Sequence, residues 1–277
     1  MGFKKAILAI SISALSLLSI TSAHSGTLRD YINANAKRRL VPIEKKIFFS
    51  TKDKVSIGAS IFYPEEIDPL SEKKYPAVIL FHTWKMNRYD WAHIIPQLRK
   101  DGFIVLAIDL RNHGSSDFKK GWGKRLRFHL TKMINDAEAA YHYALDDPLV
   151  DDNNISVMGS SIGAIIAIKL CAKINSISNE NPIKSAVLVS PAKNYFGVTT
   201  SVSIQRCKKT AMLFVMDKHD PSPTDNTIYK SGMALYKLAK GAKDTLIFDG
   251  IGHGTLMMDK EKFIMKSTSW IKEHITN

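Results

Sequence analysis

Gly159-Ser160-Ser161-Ile162-Gly163 is the stretch on which the reading of this chain turns. It has the form G-x-S-x-G and lies between an apolar run, Ile155–Met158, and a helix-like run, Ile162–Ile174. A strand that passes straight into a helix must reverse sharply, and a Cβ on either side of the reversal would collide with the returning chain. Glycine at both flanks removes that collision. The serine between them is held in a strand-to-helix turn, its hydroxyl clear of the backbone and beside the first N–H groups of the helix. Ser161 is therefore a candidate nucleophile, and the N–H of Ile162 a candidate donor to a developing negative charge. Ser160 occupies the variable position of the pattern.

Strand-like and helix-like periods alternate on either side of this turn. Ile47–Ser50 and Val55–Tyr63 read as strands joined by a turn at Lys52-Asp53-Lys54. Ala77–Phe81 is a continuous apolar run, as in a strand covered on both faces. Tyr89–Lys100 has helical spacing, Phe103–Ile108 reads as a strand, and Met133–Leu145 as a helix. Further strands are expected at Ala186–Val189, Ala211–Met216 and Thr245–Phe248, with helices over Asn226–Lys240 and about Lys260–His274. This order predicts an α/β fold: a mostly parallel central sheet, an antiparallel N-terminal edge, and helices on both faces. Ligands in such sheets sit at the carboxyl ends of the strands, so chemistry is sought there.

Two strand ends carry suitable groups. Asp217-Lys218-His219-Asp220-Pro221 follows one, and Asp249-Gly250-Ile251-Gly252-His253-Gly254 follows the other. A serine hydroxyl needs a base within hydrogen-bond reach, and the base needs a carboxylate to fix its tautomer. Ser161, an aspartate at 217 or 220, and His253 supply that set in chain order. Asp249 lies four residues before His253 and suits a turn or cap. His82 and His113 also lie at strand ends, and His219 stands between the two aspartates.

These residues, with Val78–His82 before the first helix and Asp109-Leu110-Arg111-Asn112-His113-Gly114-Ser115-Ser116 after the next strand, resemble the α/β-hydrolase superfamily over about Ile43 to Ile275. In outline the chain looks like the compact serine-esterase and dienelactone-hydrolase branch. The resemblance implies that Asp220, in a turn like the family's G-x-x-D-P, is the acid and His253 the base. It also implies a second oxyanion donor, the N–H of Trp84, beside that of Ile162. The family commonly has glycine after the histidine of that loop. This chain has Thr83, so a β-branched residue must hold the conformation the oxyanion hole needs.

The expected activity is hydrolysis of carboxylic esters through an acyl-enzyme on Ser161, with no metal and no organic cofactor. Pro191–Thr210 spans only 20 residues, too few for a large helical cap. An open site suits short-chain or soluble esters, and Thr83, Tyr195 and Phe196 are candidates for the substrate pocket. A serine peptidase or acyltransferase using the same three residues is the alternative. A non-catalytic binding protein on a hydrolase scaffold is a third.

Lys4 and Lys5 followed by the apolar stretch Ala6–Ile20 and the small residues Thr21-Ser22-Ala23 have the form of a secretory signal peptide. Residues 1–23 are therefore expected to be removed, with 24–42 a polar lead-in, 43–277 a single catalytic domain, and the protein periplasmic or secreted. Two cysteines, Cys171 and Cys207, leave one disulfide open in such a compartment. The net charge is +13, with lysines spread along the chain. The densest cluster, Lys119, Lys120, Lys124, Arg125 and Arg127, carries no nucleic-acid motif and reads as a surface loop. A small-molecule ester is the expected partner, nucleic acid is not, and weak attachment to an anionic membrane or wall surface is left open.

Overall fold

The computed structural model describes residues 43–67, 72–118, 130–177, 182–221 and 228–275. The expected leader at 1–23, the expected lead-in at 24–42 and the basic cluster Lys119–Arg127 lie outside the described residues. Strands β1 (Lys45–Ser50) and β2 (Ser56–Phe62) form an antiparallel pair. Then come β3 (Tyr75–Phe81), α1 (Ile95–Lys100), β4 (Ile104–Ile108), α2 (Ile134–Leu145), β5 (Val150–Ser160), α3 (Ile162–Ile177) and β6 (Ile183–Val189). A small hairpin, β7 (Asn194–Tyr195) and β8 (Val198–Thr199), leads through α4 (Ser201–Arg206) to β9 (Ala211–Asp217). The chain ends with α5 (Ile228–Leu238), β10 (Lys243–Phe248), α6 (Thr255–Met258) and α7 (Glu261–Glu273). The eight-stranded sheet has the order β1-β2-β4-β3-β5-β6-β9-β10. β2 pairs antiparallel with β4 as well as with β1, and every later neighbour pair is parallel.

Side chains alternate across the central strands and so build two cores. Ala77, Ile79 and Phe81 of β3, Ile155 and Val157 of β5, and Phe214 and Met216 of β9 face one side, where α2, α3, α4 and α5 pack. Val78, Leu80, Met158, Leu213 and Val215 face the other, against α1, α6 and α7. Strands covered on both sides need no polar face, which is why β3, β4 and β9 read as unbroken apolar runs.

One helix differs from the sequence expectation. Tyr89–Lys100 is a 3₁₀ turn at Arg88–Trp91 followed by the separate α1. The Asn87 side chain accepts from the Tyr89 N–H at 3.0 Å and closes the short turn. Pro96 has no N–H to bond back into it, so the helix restarts with proline in its first turn. Cys171 and Cys207 are both buried free thiols. Cys207 Sγ donates to the Ile168 carbonyl at 3.5 Å, and its contact with Cys171, together with burial, pushes the Cys171 thiol well above its ordinary range. The two are neighbours without a bridge.

Candidate active site

β5 ends at Ser160 and α3 begins at Ile162, so Ser161 alone makes the turn. Its φ is 55°, in the left-handed region that an L side chain enters only when its surroundings enforce it. Here two close approaches do so. A Cβ on Gly159 would lie 2.2 Å from the Gly163 carbonyl oxygen, and one on Gly163 would lie 2.1 Å from that of Phe81. The ends of β3 and β5 and the start of α3 therefore meet without room for a methyl group. The Ser161 N–H donates to the Val189 carbonyl at 2.8 Å, and its own carbonyl accepts from Ala164 at 3.1 Å. The N–H groups of Ile162 and Gly163 belong to the first turn of α3, which has no intrahelical acceptors for them.

Three side chains from three strand ends join in one hydrogen-bonded chain. His253 Nε2 lies 2.8 Å from Ser161 Oγ, and His253 Nδ1 lies 2.7 Å from Asp220 Oδ1. Ser161 and Asp220 are buried, while the His253 side chain is 29% exposed, so the imidazole stands at the mouth. With Nδ1–H donated to the carboxylate, Nε2 is left to accept the serine proton.

The competing residues are occupied otherwise. Asp217 Oδ2 accepts from the Ile251 N–H at 2.6 Å, and its Oδ1 accepts from the His219 N–H at 2.7 Å and the Gly250 N–H at 3.3 Å. Burial pushes this carboxyl up, but those amides outweigh it and hold it below its ordinary 3.8. Asp217 thus ties the turn that carries Asp220 to the loop that carries His253. Asp249 pairs at the surface with Lys218 at 2.8 Å and with His219 at 3.0 Å. Ser160 Oγ accepts from the Thr83 hydroxyl at 2.8 Å beneath the turn.

One residue absent from the sequence reading joins the chain. Ser190, the first residue after β6, donates its hydroxyl to Asp220 Oδ2 at 2.6 Å and accepts from the Gly254 N–H at 3.0 Å. Its φ is 48°. The signal that could have found it is position, since it follows a central strand as Ser161, Asp220 and His253 do.

The loop after β3 is held from behind. The Thr83 N–H donates to Asp90 Oδ2 at 2.9 Å. The Thr83 carbonyl accepts from His82 Nδ1 at 2.7 Å and from the Met86 N–H at 3.1 Å. In a trans peptide the C=O and the following N–H point in opposite directions. Fixing the Thr83 oxygen therefore also fixes the direction of the Trp84 N–H. Thr83 keeps a negative φ, and the left-handed residue of the loop is Lys85, at 63°. The threonine is thus accommodated without backbone strain, its hydroxyl turned to Ser160. Buried His82 receives the Leu110 N–H on Nε2 at 3.0 Å and packs on His113 with ring centroids 4.9 Å apart.

Trp84, Tyr195 and Phe196 form an aromatic cluster by the serine. Ring centroids are 5.9 Å apart for Trp84 and Tyr195, 5.3 Å for Trp84 and Phe196, and 4.8 Å for Tyr195 and Phe196. Tyr195 is buried near Ser161, whereas Phe196 is 39% exposed.

A doubly covered, mostly parallel sheet with a serine on a strained strand-to-helix turn defines an α/β hydrolase. The chain matches the family model for the alpha/beta hydrolase fold over residues 76–215, half its length, and belongs to that family. Ser161 lies within the matched range, while Asp220 and His253 lie beyond it. Among solved structures, an esterase of Pyrococcus furiosus superposes with a TM-score of 0.65 at 18% identity, over 84% of this chain and 93% of that one. Acetyl xylan esterase 1 of a Thermoanaerobacterium species gives 0.64 at 17% identity, over 85% of each chain. A dienelactone hydrolase of Anabaena variabilis gives 0.64 at 13% identity, over 84% and 98%. A curated relative, the uncharacterized protein YnbC of Escherichia coli, is 25% identical over 148 residues, 52% of this chain. The match spans only 22% of that relative's length.

Proposed function

We propose that the protein is an exported serine hydrolase that cleaves short-chain or soluble carboxylic esters. The observation that carries this reading is the unbroken relay from Asp220 through His253 to Ser161, with both spacings under 3 Å. Ser161 Oγ attacks the ester carbonyl while its proton passes to His253 Nε2. The oxyanion forms against the N–H groups of Ile162 and Trp84, and the imidazolium, paired with Asp220, returns the proton to the leaving alcohol. Water then releases the acyl group by the same steps in reverse order. Several similar structures are esterases by name, in keeping with ester chemistry. Between β6 and β9, only a six-residue hairpin and the one short helix α4 stand over the sheet end, which suits small acyl groups.

The test is hydrolysis of p-nitrophenyl acetate, butyrate and octanoate by the purified protein and by Ser161→Ala. We expect turnover that falls with chain length and drops by at least about 10³-fold in the variant. Retained activity in Ser161→Ala would remove the mechanism, and release of amino acids from small peptides in place of ester turnover would favour a peptidase. The intact mass of the exported protein tests the leader: a chain starting at His24 supports it, and retention of residues 1–23 refutes cleavage there.

A further inference from the structure

Three of the strand-end loops meet at one small side chain. Thr83, two residues after β3, donates its hydroxyl to Ser160 Oγ at 2.8 Å and receives the Thr255 hydroxyl at 3.4 Å. Ser160 directly precedes Ser161, and Thr255 lies two residues after His253. Gly254 fits into the same junction. A Cβ on it would lie 3.0 Å from Ser160 Oγ, 3.4 Å from Thr83 Oγ1 and 3.6 Å from Thr83 Cγ2. Both branches of the threonine therefore abut the histidine loop, while its one proton is spent on the nucleophile turn.

The backbone of Thr83 makes it a fixed post. Its N–H donates to Oδ2 of buried Asp90 at 2.9 Å, and its carbonyl accepts from His82 Nδ1 at 2.7 Å and from the Met86 N–H at 3.1 Å. Asp90 belongs to the 3₁₀ turn Arg88–Trp91, whose first N–H donates to buried Asp109 at 2.7 Å. A β-branched side chain on an anchored backbone has few rotamers to choose from. The place of the hydroxyl is thus set by the scaffold and imposed on the groups it touches. A glycine here would leave the fully buried Ser160 hydroxyl without this bond, in a place away from solvent.

The contact so supported is the one on which the relay depends. Ser161 Oγ and His253 Nε2, 2.8 Å apart, stand on loops after different strands. Ser161 holds a φ of 55°, and the His253 side chain is 29% exposed. From the acid side the histidine loop is held by Asp220 on Nδ1 and by Ser190 on the Gly254 N–H. From the serine side it meets Thr83, which is bonded to the residue before Ser161. A misplacement of about 1 Å between reacting groups can cost on the order of 10²-fold in rate.

We infer that Thr83 is a positioning residue for the Ser161–His253 pair, its hydroxyl tying the nucleophile turn to the histidine loop. It acts through Ser160 and Thr255 and exchanges no proton with the substrate. The inference rests on the ester-hydrolase reading above.

Thr83→Val replaces the hydroxyl by a methyl group of similar size, and Thr83→Ser keeps the hydroxyl and removes the methyl. On p-nitrophenyl butyrate, Thr83→Val is expected to lower kcat by about 10- to 100-fold with KM within about threefold, and Thr83→Ser to keep kcat within about threefold of wild type. Inactivation by diethyl p-nitrophenyl phosphate, which reports the reactivity of Ser161, should slow in Thr83→Val by a similar factor. A merely structural role would lower Tm without a loss of kcat that serine restores. Ser160→Ala removes the other partner of the same hydrogen bond, so its loss and that of Thr83→Val should not add in the double variant. A Thr83→Val kcat within about twofold of wild type, a change in KM alone, or a serine variant as slow as the valine would each overturn the inference. If Thr83→Val does not fold, Ser160→Ala decides: a fall in kcat with KM spared supports the inference, and an unaltered kcat overturns it. Wild type active, Ser161→Ala inactive and Thr83→Val unchanged would refute this inference alone. A wild type without esterase activity would refute both it and the function on which it rests.

Discussion

Ser190 directs its hydroxyl at the carboxylate oxygen that His253 leaves free, so Asp220 is gripped from both sides. A hydrogen bond to a charged group contributes about 1.5–3 kcal/mol, and its loss strands the other partner in a buried setting. Ser190→Ala keeps the Cβ and with it the fit to a φ of 48°. Its expected effect is a fall in kcat of about tenfold with KM little altered, because the carboxylate orients the imidazole rather than the substrate. Steady-state kinetics on p-nitrophenyl butyrate would check this, and an unchanged kcat would mean that His253 alone suffices to position Asp220. Ser161 and His253 were legible because each stands in a glycine-rich turn after an apolar run. The residues alone left Asp217 and Asp220 open, since both follow the same strand three residues apart, and only the family-like turn before Pro221 favoured Asp220. Only the structure shows that one accepts backbone amides and the other an imidazole.

The turn between β5 and α3 is a crowded junction of elements. At Gly163 an added methyl would meet the Phe81 carbonyl at 2.1 Å, and backbone in the middle of a sheet has little freedom to retreat. Gly163→Ala should therefore cost about 1–3 kcal/mol, or roughly 2–12 °C in Tm for a chain of this size. A thermal melt reads it directly, and an unshifted Tm would show that β3 and α3 can part without cost. The elements flanking this junction were legible because burial on both faces gives long apolar runs. The pattern that misled was Tyr89–Lys100, where Trp91, Ile94, Ile95 and Leu98 are all buried and mimic one helical stripe across a break at Pro96. Hairpin β7–β8 was invisible as structure, since strands of two residues carry no period. Its aromatic pair was picked out by residue type alone.

Across the molecule, the loops at the strand ends rest on buried groups that resist protonation. Burial, with His113 adjacent, lowers His82 from its ordinary 6.5 to about 4, and burial lowers His113 as well. The unfolded chain therefore takes up these protons before the folded one does. The stability linked to His82 is complete above pH 6.5 and drains as the pH falls toward 4, at up to about 1.4 kcal/mol per pH unit. Urea unfolding should show a midpoint that drops over this interval, with a shallower drop in His82→Gln. Equal slopes in the two proteins would place the acid sensitivity elsewhere. The ties of Asp217 to the amides of Gly250 and Ile251 have a different kind of consequence. Asp220 and His253 are 33 positions apart in the chain, yet the distance between them is set by bonds at the roots of their two loops. The stretch between those two roots need not itself set that distance, so its length can vary without retuning the pair.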